Sequence, residues 1–533
     1  MGKVDDSMVV VTFTLDDVKE LGISKEKFIE TLNNLGAPTE EIAGKIASEL
    51  SPNRPDWFSK YGMFRAMQSY LGKETGLKEY KIKKGNYVVI VDKSVKNIRP
   101  CSLCAVVTDL KLTDEKVEDL LQLQEKLMLT LGRKTRKFGL GFFDLNKITF
   151  PVKYTTMEPE KIIYKPLNYP KVANAKEILE KHAKGWEHGH LIKHLEKYPL
   201  YIDSAGKVLV LIPIVNSEEL GMINDNTNSL FVEVTGNDMN AVTQALNIVI
   251  TTLIDMGGTA YSVQMHYPDK KFESLDMKDR KMKLDLDFLD KILGVKFNKS
   301  DVVRSLKRMG YGIDGDYIVI PRYRADVMHF VDIVEDIAIV YGYNSFEPSL
   351  PNFFTKGEVL ENYDRIDEVM RNMGFIELKN FILTNKEKVA VVEPNANLEE
   401  ISNPVTTEYT VLRPNLITSM LEAFALNKMR GLPQNLYEIG NVYVDKLERR
   451  FIFGVMGKDV DFSVVRGYLQ TLFTELGMQL ELRKQPNNLF DKEVSSIVFN
   501  KGRNHGVFGK VNKDILRKFL LEDYDVFLGE FTF

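Results

Sequence analysis

The sequence has little cysteine and no strong excess of charge. Its 533 residues include two cysteines, Cys101 and Cys104, which form one CxxC pair inside an apolar, strand-like run. A single CxxC pair is a poor zinc site, so we predict two structural thiols in a reducing compartment. The formal net charge of −4 excludes a global attraction to nucleic acid. Any RNA contact must therefore come from a local patch or from a partner chain.

Long hydrophobic runs are also missing. No apolar stretch approaches the roughly 18 residues needed to span a bilayer, and the N-terminus lacks the apolar core of a signal peptide. We therefore predict a cytoplasmic protein without a membrane contact. The hydrophobic fraction of 44% and charged fraction of 27% are ordinary for globular proteins. At about 100–200 residues per domain, the length predicts three or four domains.

The pattern of elements predicts an α+β multidomain fold with four parts. Residues 1–84 read as a helical N-terminal region after one short strand, with Asp56 as a helix N-cap. Residues 85–272 mix strands and helices. Residues 273–346 resemble a small winged-helix-like domain, and residues 347–533 alternate strands and helices in a way that predicts an antiparallel sheet with flanking helices.

The most unusual stretch runs from Tyr323 to Asn344, where four carboxylates stand beside many aliphatic residues. A helix over 329–341 places Asp332, Glu335 and Asp336 on one face, with Asp326 just before its start. Mg²⁺ would offset their repulsion, because it takes oxygen ligands and needs few carboxylates. Two alternatives are a solvated acidic face favoured by the helix dipole and neutralisation by the arginines just upstream, Arg322 and Arg324.

Two further clusters invite a functional interpretation. The segment Gly132–Lys137 concentrates four cations that form a candidate phosphate-contact patch or, alternatively, a solvated turn; the cations are Arg133, Lys134, Arg136 and Lys137. The segment 182–194 holds four histidines without the glutamate of a metalloprotease pattern, so we expect structural or substrate-lining roles without a metal; these are His182, His188, His190 and His194.

Five ordered motifs resemble the phenylalanine–tRNA ligase beta-subunit family along essentially the whole chain. They are "NRPD" (53–56), "GRKTRKFGLGFFDLNKI", "YPLYIDSAGKVLVLIPIVNSE" with "LFVEVTG", "RYRADVMHFVDIVEDIAIVYGYN", and "LRPNLITSMLEAFALNKMRGLPQNLYEIGNVY". The length is similar to the archaeal or eukaryotic-cytosolic form. By this resemblance, residues 85–272 are an editing-type module and residues 347–533 a class II synthetase-like domain.

The resemblance implies a set of partners and ligands. It implies a complex of two beta chains with two alpha subunits that joins phenylalanine to tRNA(Phe) with ATP. It also implies that Asp326, Asp332, Glu335 and Asp336 bind Mg²⁺ at a site shared with the alpha subunit. The arginine-bearing class II signatures are not found in 347–533, so adenylation is expected on the alpha subunit and the class II-like domain here is expected to be inert. Arg413 is expected to be a surface or interface residue.

The editing site is where the sequence departs from the family pattern. Asn216 and Thr235 match it, whereas Val210 replaces a serine and Glu233 replaces an aspartate. Tyr201 stands where the family favours an aliphatic residue and is expected to narrow the pocket. These changes touch polar groups that position substrate and water, so we predict that editing of Tyr-tRNA is weakened or lost. A compensated site with altered geometry is the competing interpretation, and a non-catalytic RNA-binding or assembly paralogue is the alternative for the whole chain.

Overall fold

The computed structural model describes residues 9–275, 280–350, 357 and 363–532. The chain divides into two compact units, Met1–Leu350 and Pro351–Phe533. Both units mix α-helices and β-sheets, which confirms the predicted α+β class. No described helix combines the length and the apolar character that crossing a bilayer would require.

The first unit begins with a three-stranded sheet, in the order β1-β3-β2, and three helices. The strands are β1 (Val9–Phe13), β2 (Thr39–Ile42) and β3 (Lys45–Leu50), and the helices are α1 (Leu15–Glu20), α2 (Lys25–Asn34) and α3 (Lys60–Tyr70). The predicted helical region therefore contains a sheet. Asp56 is not a helix N-cap either, because Ser59 caps α3 while Arg54 binds the buried Asp56 carboxylate at 2.9 Å.

A ten-stranded mixed sheet forms the middle of the first unit. Its strands are β4 (Ile82–Val91), β5 (Cys101–Thr108), β6 (Phe138–Asp144), β7 (Val152–Met157), β10 (Tyr198–Ile202), β11 (Val208–Leu211), β12 (Val215–Asn216), β13 (Leu230–Gly236), β14 (Thr259–His266) and β15 (Lys271–Glu273). The short strands β8 (Ile163–Tyr164) and β9 (Ala173–Asn174) pair separately.

The order of the large sheet is β12-β11-β10-β7-β4-β14-β5-β13-β6, with β15 beside β14. Strand β4 runs parallel to both of its neighbours, β14 and β7, and the other pairs are antiparallel. Five helices belong to this part: α4 (Asp114–Leu129), α5 (Ala175–Lys181), α6 (Ala183–His188), α7 (Glu218–Gly221) and α8 (Met239–Asp255). Eleven residues of α8 are buried, so this helix lies in the core of the first unit.

The last part of the first unit combines a small antiparallel sheet with three helices. The elements are β16 (Arg280–Lys283), α9 (Leu286–Leu293), α10 (Lys299–Arg308), β17 (Gly312–Asp314), β18 (Tyr317–Ile320) and α11 (Phe330–Tyr341). Helix α11 was predicted from 329 to 341 and begins one residue later, because His329 is its N-cap. One continuous core runs through the unit from β1 to α11.

The second unit is built on a seven-stranded sheet in the order β19-β22-β23-β27-β26-β25-β24. Its strands are β19 (Ile376–Glu377), β22 (Gln434–Tyr443), β23 (Leu447–Gly457), β24 (Glu481–Lys484), β25 (Phe490–Asn500), β26 (Arg503–Val511) and β27 (Asp525–Phe531), while β20 (Leu383–Thr384) pairs with β21 (Val411–Leu412). The helices are α12 (Tyr363–Asn372), α13 (Lys386–Val392), α14 (Ile417–Asn427), α15 (Phe462–Glu475) and α16 (Lys513–Lys518). Except for the parallel pair β19–β22, the sheet is antiparallel, as predicted for this part. The finer four-part division and the winged-helix likeness stay predictions.

Candidate functional site

Four of the five predicted editing residues meet at one cavity in the first unit. The cavity has a volume of about 270 Å³, and its walls include Val210, Asn216, Glu233 and Thr235. Glu233 and Thr235 are two residues apart on β13, so the alternation of a strand directs both side chains to the same face. Asn216 donates from Nδ2 to the carbonyl oxygen of Phe142 at 3.4 Å. The structure therefore gathers residues that are up to 25 positions apart in the sequence.

Glu233 is the most perturbed group in this cavity. Burial raises the pKa of its carboxyl group to about 8, although the Arg99 guanidinium favours the charged form. Neither Glu233 Oε2 nor Thr235 Oγ1 has a close hydrogen-bond partner, although the Thr235 hydroxyl is near enough to favour the Glu233 carboxylate weakly. A buried polar atom without a partner costs about 1–3 kcal/mol, which a ligand that bonds to it would offset. At neutral pH the cavity thus presents a mostly protonated carboxyl group and a hydroxyl to whatever enters it.

Gly141 provides the space that the longer Glu233 side chain needs. The two residues face each other in the β6–β13 ladder. A Cβ atom at Gly141 would lie 2.9 Å from Glu233 Oε1 and 2.8 Å from Cε2 of Phe143. Because real Cβ atoms essentially never approach so closely, only glycine fits at position 141 with Glu233 in this position.

Tyr201 occupies a different place from the one predicted. It is not among the cavity-lining residues; it is fully buried, its ring stacks on Tyr154 with centroids 5.0 Å apart, and its hydroxyl bonds to Ser102 Oγ at 2.5 Å. The Sγ atom of Cys104 lies 3.3 Å from the same hydroxyl. The expectation that Tyr201 narrows the cavity is therefore wrong, because polar partners within the core hold the side chain. Both cysteines are free and buried.

Two of the four clustered histidines line the same cavity, His182 and His188. His182 is hydrogen-bonded on both ring nitrogens: Nδ1 accepts from the amide of Lys184, and Nε2 lies 2.9 Å from the carbonyl oxygen of Leu167. Burial lowers the pKa of His188, which favours its neutral form. His182 is thus held rigidly in the wall.

The four cations of Gly132–Lys137 surround a turn between α4 and β6. Arg133, Lys134 and Arg136 are exposed, and within the described part of the chain no carboxylate forms an ion pair with any of them. Lys137 differs, because its Nζ lies 3.4 Å from Asp238 Oδ2. The turn follows directly on α4, whose residues Gln124 and Met128 line the cavity. The candidate phosphate patch therefore lies beside the candidate editing cavity.

The four acids around α11 line a second, larger cleft, with a volume of about 640 Å³. The "NRPD" motif contributes Asn53 and Arg54 to the same cleft. Asp332 is half-buried and forms a capping box, accepting from the amides of Met328 and His329 at 2.8 and 2.7 Å. Glu335, one turn further along the helix, is exposed.

Asp326 and Asp336 have a cation already, the buried guanidinium of Arg324. Its Nη2 lies 2.7 Å from Oδ2 of Asp326 and 2.7 Å from Oδ2 of Asp336. Burial opposes ionisation of Asp326, but Arg324 and Arg54 outweigh it and lower its pKa to about 2. Tyr311 donates to Asp336 at 2.6 Å. The upstream arginine thus neutralises two acids, as one of the sequence-based alternatives proposed.

This pairing limits how Mg²⁺ could bind. Among residues 9–275, 280–350, 357 and 363–532, no group of three or more Asp, Glu, His or Cys side chains is placed to hold one metal ion. The donor set therefore does not fit an ion held by all four carboxylates. It does fit an ion that keeps most of its water and takes Asp332 and Glu335, because Mg²⁺ is often bound through one or two carboxylates.

Arg413 in the second unit is neither a surface nor an interface residue. It is 2% exposed, and its Nη2 lies 2.7 Å from Oε1 of the fully buried Glu438. Its Nε donates to the carbonyl oxygen of Asn441, and its Nη1 to Ser419 Oγ. The expectation is wrong because Arg413 is paired with Glu438 of the "LYEIG" strand inside the unit. The sequence alone did not show that these two residues meet.

Comparison with known proteins gives consistent matches along the chain. Residues 347–533 match the family model described as the phenylalanyl tRNA synthetase beta chain CLM domain, and residues 282–343 match the tRNA synthetase B5 domain. The phenylalanine–tRNA ligase beta subunit of Archaeoglobus fulgidus is 34% identical over 530 residues, which cover 96% of each chain. The beta subunit of Thermococcus gammatolerans is 35% identical over 518 residues, with 92% of this chain and 91% of the relative covered.

A solved structure is similar to much of the first unit. It is an N-terminal fragment of the phenylalanyl-tRNA synthetase beta subunit from Pyrococcus horikoshii, 36% identical in sequence, with a TM-score of 0.60. The match covers 63% of this chain and 100% of the fragment.

Proposed function

The chain belongs to the phenylalanine–tRNA ligase beta-subunit family, and we propose that it works as the beta subunit of such a ligase. The observation that carries this proposal is the 34% identity to a relative of that name over 96% of both chains. The predicted motifs support it, because the "NRPD" segment and the acidic helix line one cleft in the structure. The alternative, a non-catalytic RNA-binding or assembly paralogue, would keep the fold without working in aminoacylation.

The proposed complex contains two alpha and two beta chains, acts on tRNA(Phe) in the cytoplasm, and uses ATP on the alpha subunit. In this proposal the second unit is a scaffold, since the class II arginine signatures are missing from its sequence. The state of Arg413 supports this view. Its guanidinium is bound by a buried carboxylate and is therefore not available to offset charge on a phosphate.

We further propose that Asp332 and Glu335 hold Mg²⁺ at the face that the alpha subunit covers, with Asp326 and Asp336 behind them. Their oxygen donors suit this ion. When bound, the ion would offset the negative charge of the acidic helix at the subunit contact. In the present chain Arg324 orients Asp326 and Asp336, so these two residues support the cleft rather than donate freely.

Editing of Tyr-tRNA is proposed to be weakened. Hydrolysis of the aminoacyl ester requires a water molecule that loses a proton to a base. Glu233 with a pKa of about 8 is largely protonated at neutral pH, so only a minor fraction of the chains carries the carboxylate that could accept that proton. Val210 offers no hydrogen bond where the family has a serine. In the compensated alternative, the ammonium group of a bound aminoacyl ester favours the charged form of Glu233. Gly141 leaves room for the Glu233 side chain in that case.

The role in aminoacylation is tested by co-expression with the alpha subunit encoded in the same genome. We expect the two chains to purify together and the complex to attach phenylalanine to tRNA(Phe), whereas this chain alone should not. Stable folding of the chain without alpha binding or phenylalanine attachment would instead support the paralogue.

Editing is tested separately with the same complex. We expect slow release of tyrosine from Tyr-tRNA(Phe), and faster release in the variant Val210→Ser with Glu233→Asp, which restores the family's polar groups. Fast hydrolysis by the unchanged complex would favour the compensated site.

A further inference from the structure

The turn that carries the four cations has an unusual backbone. Arg133, Lys134 and Thr135 are three successive residues with φ of 50°, 53° and 66°, in the left-handed region. Side chains with a Cβ atom disfavour this region, and a β-branched threonine does so most. Such strain persists only where surrounding contacts over-determine the conformation, and it clusters at functional sites.

The surrounding contacts that fix the turn can be identified. The amide of Lys134 donates to the carbonyl oxygen of Leu129 and the amide of Thr135 to that of Met128, both at 3.0 Å. Gly132 is required for this approach, since a Cβ atom there would lie 2.6 Å from the Met128 carbonyl oxygen. The carbonyl of Thr135 points the other way and accepts a hydrogen bond from Arg99.

Arg99 connects the turn to the cavity strand. Its Nη2 donates to the carbonyl oxygen of Thr135 at 3.0 Å and to that of Thr235 at 3.2 Å. Arg99 is 4% exposed, and among the described residues its guanidinium forms no ion pair with a carboxylate. A buried guanidinium without an ion-pair partner is costly to keep, and its hydrogen bonds to the turn and to β13 offset part of this cost. No motif in the sequence singles out this residue.

The cavity is small compared with an aminoacylated RNA end. Its volume of about 270 Å³ lies just below the range of roughly 300–1,000 Å³ that is typical of small-molecule sites. The remainder of an aminoacylated RNA end must therefore lie outside the cavity. The basic turn borders this space: Thr135 packs against Gly139, which lines the cavity, since a Cβ atom there would lie 3.6 Å from Thr135 Cγ2.

We propose that the turn Gly132–Lys137 is a preformed phosphate-binding site for single-stranded RNA leading into the cavity, and that Arg99 is the positioning residue that holds it in register with β13. The proposal rests on the proposed role with tRNA. Arg133, Lys134 and Arg136 contact phosphates, and Arg99 acts through the Thr135 carbonyl without touching the RNA. Phosphate binding at this turn does not depend on hydrolysis of the aminoacyl ester. We therefore expect the turn to bind RNA whether editing is weak or strong.

The first experiment measures RNA affinity against salt concentration. The full alpha–beta complex is titrated with a single-stranded RNA that has the 3′-terminal sequence of tRNA(Phe), for the unchanged chain and for Arg133→Ala with Lys134→Ala. Each phosphate contact contributes about 0.7 to the slope of log affinity against log salt for single strands. We expect the slope to fall by about 1.4, two such contacts.

A matched control removes two exposed lysines in the last part of the same unit, Lys283 at the end of β16 and Lys291 in α9, as Lys283→Ala with Lys291→Ala. The control has the same change in net charge and should leave the slope unchanged. An equal decrease in the two double variants would overturn the proposal, because it would show a general charge effect. The same titration is repeated with an RNA duplex of equal length. If Arg133→Ala with Lys134→Ala lowers the affinity for the duplex more than the affinity for the single strand, the assignment to single-stranded RNA is overturned.

The second experiment tests Arg99 with a double-mutant cycle. Arg99→Met should weaken RNA binding several-fold, and Arg99→Lys should restore most of it, because lysine can still donate to a carbonyl. In the background of Arg133→Ala with Lys134→Ala, Arg99→Met should weaken RNA binding less than it does in the unchanged chain, because only Arg136 of the three phosphate contacts remains on the turn, while its effect on thermal stability persists. Additive losses of RNA affinity would exclude a positioning role.

These outcomes are separable from the proposed function. Attachment of phenylalanine by the same preparations reports whether the chain works in a ligase. A complex that fails in that reaction but shows the change in salt slope would refute the ligase role and keep the RNA site. If Arg99→Met does not fold, the salt slopes still test the phosphate-binding turn. Arg99→Lys still tests the positioning role, since it should bind RNA almost as the unchanged chain does.

Discussion

Single residues decide what the cavity can do. Glu233 differs from an aspartate by one methylene group, and Gly141 opposite it provides the room. The result is a carboxyl group on which the effect of burial outweighs that of the Arg99 charge, so that its pKa is raised to about 8. Its Oε2 atom has no close hydrogen-bond partner, so no short hydrogen bond fixes the protonation state of the carboxyl group. Function and stability at this position are therefore both pH-dependent.

Stability should depend on pH through Glu233. Because its pKa is raised in the folded state, the folded chain binds more protons than the unfolded chain between about pH 4.5 and 8. The contribution of Glu233 to the free energy of unfolding is thus fully present below that window. It is lost as the pH rises through the window, by up to about 1.4 kcal/mol per pH unit. Glu233→Gln should flatten the curve of melting temperature against pH in this window. An unchanged curve would show that Glu233 is not protonated in the folded chain.

The strained turn predicts an unusual effect of glycine. Left-handed backbone costs a residue with a Cβ atom about 1–2 kcal/mol, and glycine does not carry this cost. Lys134→Gly should therefore stabilise the first unit by about 1 kcal/mol relative to Lys134→Ala, although glycine normally destabilises ordered segments. Denaturant unfolding of both variants measures the difference, and the shared loss of charge makes each the control for the other. A less stable glycine variant would contradict the assigned conformation.

A single helix can carry both a buried face and an exposed face, as α11 does. Helix α11 places Ile333 and Ile337 in the core, Asp336 beside Arg324, and Glu335 in the cleft. A buried ion pair adds little net stability by itself, but removal of one partner leaves an uncompensated charge. The acids of one helix therefore serve different purposes according to burial, which their spacing in the sequence does not show.

Substitutions along α11 should separate these purposes. Asp336→Ala should destabilise the first unit by about 1–3 kcal/mol, because Tyr311 loses its buried acceptor and Arg324 keeps one acid instead of two. Glu335→Ala should change stability by no more than about 0.5 kcal/mol, as is usual for exposed positions. Denaturant unfolding followed by circular dichroism measures both. Equal effects would mean that the pairing of Arg324 with Asp336 does not hold in solution.

The proposed metal site has its own test on the same helix. Asp332→Ala with Glu335→Ala should abolish Mg²⁺ binding to the alpha–beta complex, measured by calorimetry, while the isolated chain stays folded. Asp332→Asn with Glu335→Gln is the matched variant, because it keeps the shape and removes the charge. Undiminished Mg²⁺ binding in both variants would place the ion elsewhere.

The whole first unit is joined by contacts between distant segments. Arg65 of α3 binds Asp255 at the end of α8 at 2.5 Å, and Tyr80 donates to the same carboxylate. The Arg65 guanidinium also lies 3.9 Å from the ring centroid of Tyr323. These buried polar contacts join the N-terminal sheet region, the large sheet and the region before α11 in one core.

Loss of this junction should weaken the unit as a whole. Asp255→Ala leaves Arg65 buried without its carboxylate, so we expect the unfolding free energy of the first unit to fall by about 3–5 kcal/mol. Lys84→Ala, which removes an exposed cation whose nearest carboxylate lies 3.9 Å away, is the control and should change it little. Hydrogen exchange should show faster exchange in both α3 and α8 of Asp255→Ala. Faster exchange in α8 alone would show that the two segments are not coupled.

The sequence predicted local features better than long-range ones. Helix α11 was placed within one residue, because its cap and its apolar stripe are both local signals. The sheet at 39–50 was missed because β2 is charged and largely exposed. The buried states of Tyr201, Arg413 and Asp56 were missed for another reason. Each depends on a partner brought in by folding, and Arg99 carries no motif at all. The four predicted editing residues that line the cavity were singled out only through the family resemblance.

The pairing of Arg65 with Asp255 also has a consequence during synthesis of the chain. The two residues are separated by 190 positions. At roughly 5–20 residues per second, Asp255 leaves the ribosome about 10–40 seconds after Arg65. Throughout that interval the nascent N-terminal segment carries a guanidinium whose buried partner does not yet exist. The N-terminal sheet region can therefore complete this buried contact with α8 only late in translation.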